Sequence, residues 1–259
     1  MTTDISYKDC KHKHLAALME LFIRLAENKD FLDSYPRVSS LFSGVDRFKD
    51  RNDLDGLEER LTRIYCRIHE KDVRYSGSEL KELKKMDGYW CYAGGLTPLL
   101  MAGSYITSKT RLADYGAGNG LQGLLLQYLY RPCKVVQIEL GSYMMEKGRK
   151  LQAMMEIPGD RVEWIRKNIM DVSPADFDFI YIYRPVRPDG QGRLFYERFA
   201  RQLEAVNHPL TLFSVADCLK DFLVSGTFRV FYDDGHLRCF SNAQYLRDSK
   251  VRDQEPGVT

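Results

Sequence analysis

The chain has 259 residues, 44% of them apolar and 29% charged, a length and composition that bury a full core without disulfide or metal staples. Disorder, collagen-like repeats and a disulfide miniprotein are therefore excluded. Thirty-eight basic side chains against 36 acidic leave a net charge of +2. That argues against a nucleic-acid coat or a polybasic membrane binder.

From the N-terminus the pattern is helical. Leu15, Leu18, Phe22 and Leu25 form one apolar stripe, and Leu54, Leu57, Leu61, Ile64 and Ile68 form a second, with breaks at Tyr35-Pro36 and Ser43-Gly44 between them. A shorter helix is expected over Glu79–Lys85, salt-bridged and exposed, stopping at Asp87-Gly88. Lys11-His12-Lys13-His14 reads as a solvated face. Tyr89-Trp90-Cys91-Tyr92-Ala93-Gly94-Gly95 reads either as a mobile segment over a pocket or as aromatic packing of helices onto a sheet.

From about residue 96 strands and helices alternate. Thr97 is expected to N-cap a helix carrying Pro98 in its first turn and running to Ile106. Strands are predicted at Arg111–Tyr115, Lys134–Leu140, Arg161–Ile165, Phe177–Tyr183, Leu210–Ser214, Phe228–Tyr232 and His236–Ser241. Helices are predicted at Leu121–Tyr130, at Ser142 (as cap) to Met155, at Gln191–Val206 and at Ala216–Leu223, with one further helix possible after the third strand. Asp233-Asp234-Gly235 is a hairpin turn signal. The order implies an α/β fold with a doubly wound, mostly parallel sheet. Residues 1–95 then form a helical N-terminal cap, 96–246 the sheet domain and 247–259 a polar tail.

The sharpest motif is Asp114-Tyr115-Gly116-Ala117-Gly118-Asn119-Gly120, at the carboxyl end of the first strand, where open α/β sheets bind ligands. Glu139 closes the second strand, placed to accept the two hydroxyls of a ribose. A dinucleotide fingerprint would need glycine at position 121, which is Leu121. The pattern D-x-G-x-G-x-G instead resembles the first motif of class I S-adenosylmethionine-dependent methyltransferases. An acid beside the loop suits a cationic ligand and would repel a pyrophosphate.

That resemblance covers roughly residues 96–245 and implies a seven-stranded Rossmann-like sheet of order 3-2-1-4-5-7-6. It implies S-adenosyl-L-methionine as cofactor, with Asp114, Gly116, Ala117, Gly118 and Gly120 at its methionine side. Glu139 and Leu140 would lie at the ribose, and Asn168 and Ile169 at the adenine. Tyr183 and Arg184, after the fourth strand, would face the methyl acceptor. Amino-methylating relatives often carry Asp/Asn-Pro-Pro-Tyr/Phe at that point; this chain has Tyr183-Arg184-Pro185, so base methylation is not carried over. Arg184 and Arg187 could grip a carboxylate or phosphate, or be ordinary loop charges. Tyr92 and Thr97 could reach the carboxylate end of the cofactor. His208 and His236 are expected at the surface, and no general base stands out.

The implied activity is methyl transfer to a small molecule or a protein side chain, with nucleic acid unlikely and no membrane partner. The rival reading is a non-catalytic cofactor-binding module or a partner subunit. The six cysteines form no CxxC and no zinc spacing, so reduced thiols, no metal and a cytoplasmic location are expected.

Overall fold

In a computed structural model the chain is described over residues 3–42, 53–69, 74–88, 95–216, 218–224 and 226–244, side chains from residue 11. The break at Ser43-Gly44, the segment Tyr89–Gly94 and the polar tail lie outside the described residues. The helices are α1 (Thr3–Glu27), α2 (Lys29–Ser34), α3 (Ser39–Phe42), α4 (Leu54–His69), α5 (Gly77–Lys85), α6 (Thr97–Met101), α7 (Leu121–Tyr130), α8 (Ser142–Met154) and α9 (Gly190–Glu204). The strands are β1 (Arg111–Tyr115), β2 (Lys134–Glu139), β3 (Val162–Arg166), β4 (Phe179–Tyr183), β5 (Thr211–Val215), β6 (Arg229–Asp233) and β7 (Leu237–Ser241).

The sheet order is β3-β2-β1-β4-β5-β7-β6. The first five strands are parallel, β7 runs antiparallel to β5, and β6 antiparallel to β7. This is the seven-stranded order, with its last strand reversed, that the resemblance implies. The strand alternation sends Leu112, Val135, Phe179 and Phe213 to one face, and Ala113, Val136, Ile180 and Leu212 to the other. Both faces are covered, as a parallel sheet requires. Phe195, Phe199 and Leu203 of α9 pack on the second face.

The first face explains the N-terminal helices. α7 is buried almost all round, from Leu121 through Gln127. A helix with no polar face must be sandwiched between two layers. One layer is the sheet; the other is α1 and α4, whose stripe residues Leu15, Phe22, Leu25, Leu61, Ile64 and Ile68 are fully buried in the same apolar cluster as Leu112 and Phe179. The hydroxyl of Tyr130 donates to the Leu99 carbonyl at 2.9 Å and sits 3.3 Å from Nδ1 of His14, tying α1 and α6 to the end of α7. The basic run at residues 11–14 is thus not wholly solvated. His14 stacks edge-on against Tyr130 and Lys11 pairs with Glu58 at 2.6 Å.

Three local expectations change. Leu96, not Thr97, is the N-cap of α6; Thr97 is exposed, and a 3-10 turn carries the chain from Ala102 to Tyr105. Only a 3-10 turn, Leu219–Asp221, stands where a helix from 216 to 223 was expected. After β3 the chain makes two 3-10 turns, Ile169–Asp171 and Pro174–Asp176.

Gly148 of α8 lies against the Trp164 indole of β3, and a Cβ there would overlap the ring and come within 2.8 Å of the Asn119 carbonyl oxygen. Gly148→Ala should destabilise the protein by about 1–3 kcal/mol. Urea unfolding checks this; an unchanged midpoint would show that the indole swings aside freely.

Candidate cofactor site

The loop after β1 is built by three left-handed glycines, Gly116 (φ 79°), Gly118 (φ 58°) and Gly120 (φ 69°). The N–H groups of Gly116 and Ala117 both donate to the Ile138 carbonyl, at 3.0 and 2.9 Å, folding the loop over the end of β2. There the buried Glu139 carboxylate accepts from Gly118 N–H at 2.8 Å and Gly141 N–H at 2.6 Å. Glu139 lines a cavity at the carboxyl ends of β1, β2 and β4, about 870 Å³ including the part open to solvent.

Asp114, Gly116, Ala117, Gly118, Glu139, Leu140, Ile169, Tyr183 and Arg184 all line this cavity. Two expected residues do not. Gly120 lies beneath the loop, where a Cβ would strike Trp164. The Asn168 side chain accepts from Met170 N–H at 2.9 Å, capping the 3-10 turn after β3. Thr97 is not among the lining residues, and Tyr92 lies outside the described residues. Among the histidines, His236 is exposed, near the ring of Tyr183, and His208 Nε2 lies 2.9 Å from the Ala175 carbonyl; neither is a lining residue.

Several lining residues escaped the sequence. Tyr65 and His69 come from α4, Tyr75 precedes α5, Leu83 and Met86 belong to α5 and its end, and Gln122 and Tyr181 come from α7 and β4. Their signals were present but ambiguous, because a helical stripe looks the same whether it faces a core or a pocket. α5 is not an exposed helix. Glu79 is 3% exposed, and its Oε1 accepts from Ser142 N–H at 2.8 Å, Ser142 Oγ at 2.9 Å and Arg166 Nη2 at 3.1 Å. Glu79 therefore caps α8 from a distant helix, the role expected of the Ser142 hydroxyl. It also closes a capping box with Ser76. Burial alone would raise its carboxyl, but the bonds from Ser142 and Ser76 outweigh that and hold it down at about 2.

The β4 end is held from the other side. Gly88 forms a bridge with Val186, Arg187 N–H donates to the Asp87 carbonyl at 2.9 Å, and Asp87 Oδ2 accepts from Gln191 N–H at 3.3 Å. Between these anchors Arg184 adopts φ 31°, a strained backbone for a residue with a Cβ.

The electrostatics are unusual for two carboxylates. Burial pushes Asp114 up to about 7, reinforced by the charge of Glu139 and opposed by the Gly123 N–H. Burial also pushes Glu139 to about 7 against the bonds from Gly141, Gly118, Leu140 and Tyr75. Asp114 Oδ2 has no hydrogen-bond partner. His69, desolvated, falls to about 4 and is neutral at neutral pH. Among the described residues no group of three or more His, Cys, Asp or Glu is placed to hold a metal, and no helix is long and apolar enough to cross a membrane. Cys66, Cys133, Cys218 and Cys239 form no disulfide.

No family model and no curated protein matches the sequence. Among solved structures, the chain resembles an RNA methyltransferase from Salinibacter ruber in complex with S-adenosyl-L-homocysteine. The identity is 15% and the TM-score 0.44, over 56% of this chain and 87% of that one. It also resembles TrmN from Thermus thermophilus (16%, TM-score 0.42, 56% and 46%). A third is a ribosomal protein L11 methylase from Lactobacillus delbrueckii subsp. bulgaricus (14%, TM-score 0.41, 55% and 74%). One expectation is corrected here. With an RNA methyltransferase among the structures of this fold, nucleic acid is no longer an unlikely partner. Net charge is a sum over the whole surface and does not exclude a local contact such as the cavity-lining Arg184 and Lys167.

The buried acids set a pH dependence. With folded values near 7 and unfolded values near 4, Asp114 and Glu139 stabilise the fold fully only below pH 4, and that contribution is lost as pH rises through 7. His69 acts oppositely, being lowered, so the comparison must be differential. Asp114→Asn should raise the thermal midpoint relative to wild type more at pH 8 than at pH 5. An equal shift at both pH values would show that Asp114 ionises freely.

Proposed function

We propose that the chain is an S-adenosylmethionine-dependent methyltransferase, with its cofactor in the cavity between the glycine loop, Glu139 and the end of β4. The carrying observation is Asp114 Oδ2, a buried acceptor without a partner beside a positive-φ glycine loop. Such an atom fits a cationic group and disfavours a phosphate. In this reading Glu139, which lines the cavity, faces the ribose, and Leu140, Ile169, Leu83 and Met86 form an apolar wall for an adenine ring. When bound, the cofactor supplies a methyl group on a sulfonium, transferred by in-line displacement.

The protein's part is alignment and exclusion of water. In this reading Tyr183 and Arg184, on the strained turn after β4, face the acceptor. Residues 96–246 carry the glycine loop and Glu139, and residues 1–95 cap the cofactor and add Leu83 and Met86 to its wall. A small molecule or protein side chain fits the near-balanced charge of the cap, and RNA stands beside them as an acceptor class to be assayed.

Calorimetry with S-adenosylhomocysteine tests the cofactor assignment. Micromolar binding is expected, weakened about tenfold or more in Glu139→Ala, where a charge-assisted bond is lost. Affinity should also rise from pH 6 to pH 8, because the ligand ammonium requires ionised Asp114. Absence of binding to folded protein would overturn the reading. Binding without transfer of label from methyl-labelled cofactor to RNA, protein or small-molecule pools would favour a non-catalytic binding module.

A further inference from the structure

The buried carboxylate of Glu79 has no part in the cofactor reading, and its side chain does not line the cavity. Its bonds place it at one end of a strap, residues 75–88. At that end Tyr75 packs so closely on Gly141 that a Cβ there would strike its ring. Beside it Glu79 accepts from Ser142, just after β2, at 2.8 and 2.9 Å, and from Arg166, the last residue of β3, at 3.1 Å. At the other end Gly88 bridges Val186, and the Asp87 carbonyl accepts from Arg187 N–H at 2.9 Å. Both of those partners lie just after β4.

In the sheet, β1 stands between β2 and β4. A strap anchored beyond β2 and beyond β4 therefore crosses the end of β1, where the glycine loop lies. The lengths agree. From Glu79 to Asp87 the helical rise is about 12 Å, and two strand spacings amount to about 10 Å. Between the anchors Leu83 and Met86 line the cavity, as does Tyr75 at the first anchor. A ligand seated against these side chains lies under the strap.

The two anchors differ in kind. The β4 anchor includes a main-chain bridge, and the chain turns there at Asp87 (φ 55°) and Gly88. The other anchor is held by side chains: Glu79 to Ser142 and Arg166, and Tyr75 to Glu139. The bonds of Glu79 within its capping box with Ser76 belong to the strap itself and stay made if the strap swings. Those to Ser142 and Arg166 do not. The Arg166 side chain is 58% exposed, so water stands ready to replace its bond.

We propose that residues 75–88 form a gate over the cavity, hinged at Asp87-Gly88 and latched by Glu79 onto Ser142 and Arg166. The identity of the ligand that passes rests on the cofactor reading above: the cofactor enters, and its demethylated product leaves, when the latch opens. Neither Ser142 nor Arg166 lines the cavity, so the latch governs passage and not contact with the ligand. Shut, the gate keeps water from the ligand; opening it sets the rate of exchange.

The test uses Ser142→Ala and Arg166→Gln, which cut the latch and leave the capping box intact; thermal midpoints confirm folding, and Arg166→Gln is the milder change. Surface plasmon resonance with S-adenosylhomocysteine gives the association and dissociation rates separately. A weakened latch should raise both rates together, about 2- to 5-fold for Arg166→Gln, the range of an exposed ion pair. For Ser142→Ala the rise should be about 10-fold, that of a bond to a charged group. The dissociation constant should stay within about threefold. A rise in dissociation alone would make the strap a fixed wall and overturn the gate, as would unchanged rates in both variants.

Hydrogen exchange on the ligand-free protein reads the same opening without a ligand. Amides 80–86 should exchange faster in both variants, while those of β1 and β4 stay unchanged. Equal exchange in wild type and variants would overturn the gate. Faster exchange in a protein that binds no S-adenosylhomocysteine would support the gate and overturn the cofactor reading alone.

Discussion

The site depends on one buried carboxylate. Glu139 ends β2, and its two oxygens take the N–H groups of Gly118 and Gly141. These bonds span the glycine loop after β1 and the approach to α8, so one side chain sets the relative position of two strand ends. The cost is a desolvated acid, visible as its raised affinity for a proton. Charge-assisted bonds from backbone N–H groups offset much of that cost. The carboxylate thus holds the loop while lining the cavity.

Around it the structure is clamped from both ends of the N-terminal region. Glu79 of α5 caps α8 beside Glu139, and Asp87 caps the start of α9 beside β4. Asn119 holds the last turn of α4. The helical region is therefore joined to the cavity at three separate points. It also shares its apolar cluster with the sheet, through α7. These ties rigidify the walls around an interior that keeps several polar atoms without partners.

Five non-glycine residues among those described adopt positive φ, and one of them, Arg184, stands where chemistry is expected. Arg184 at positive φ follows β4 directly and is followed by Pro185, whose ring restricts the same turn. The neighbouring Val186 is pinned by Gly88, and Arg187 by Asp87. A strained turn persists only where its surroundings over-determine it, and here the anchors are visible.

Much of this was legible in the sequence. Strand alternation located the strands, and the acid-glycine run carried the resemblance that implied the sheet order β3-β2-β1-β4-β5-β7-β6. Local rules suffice there, because side-chain period and glycine conformational freedom are properties of short segments. Glu79, Tyr65, Gln122 and Tyr181 were not legible. A glutamate in a charged helix and a tyrosine in an apolar stripe have the same local signature whether they face solvent, core or cavity. Ser142 and Thr97 looked like caps by type, yet Ser142 is bonded by a residue 63 positions away and Leu96 occupies the cap position before Thr97. Only the tertiary structure decides such roles, since a hydrogen bond between distant segments depends on where packing brings them and leaves no periodicity in the chain.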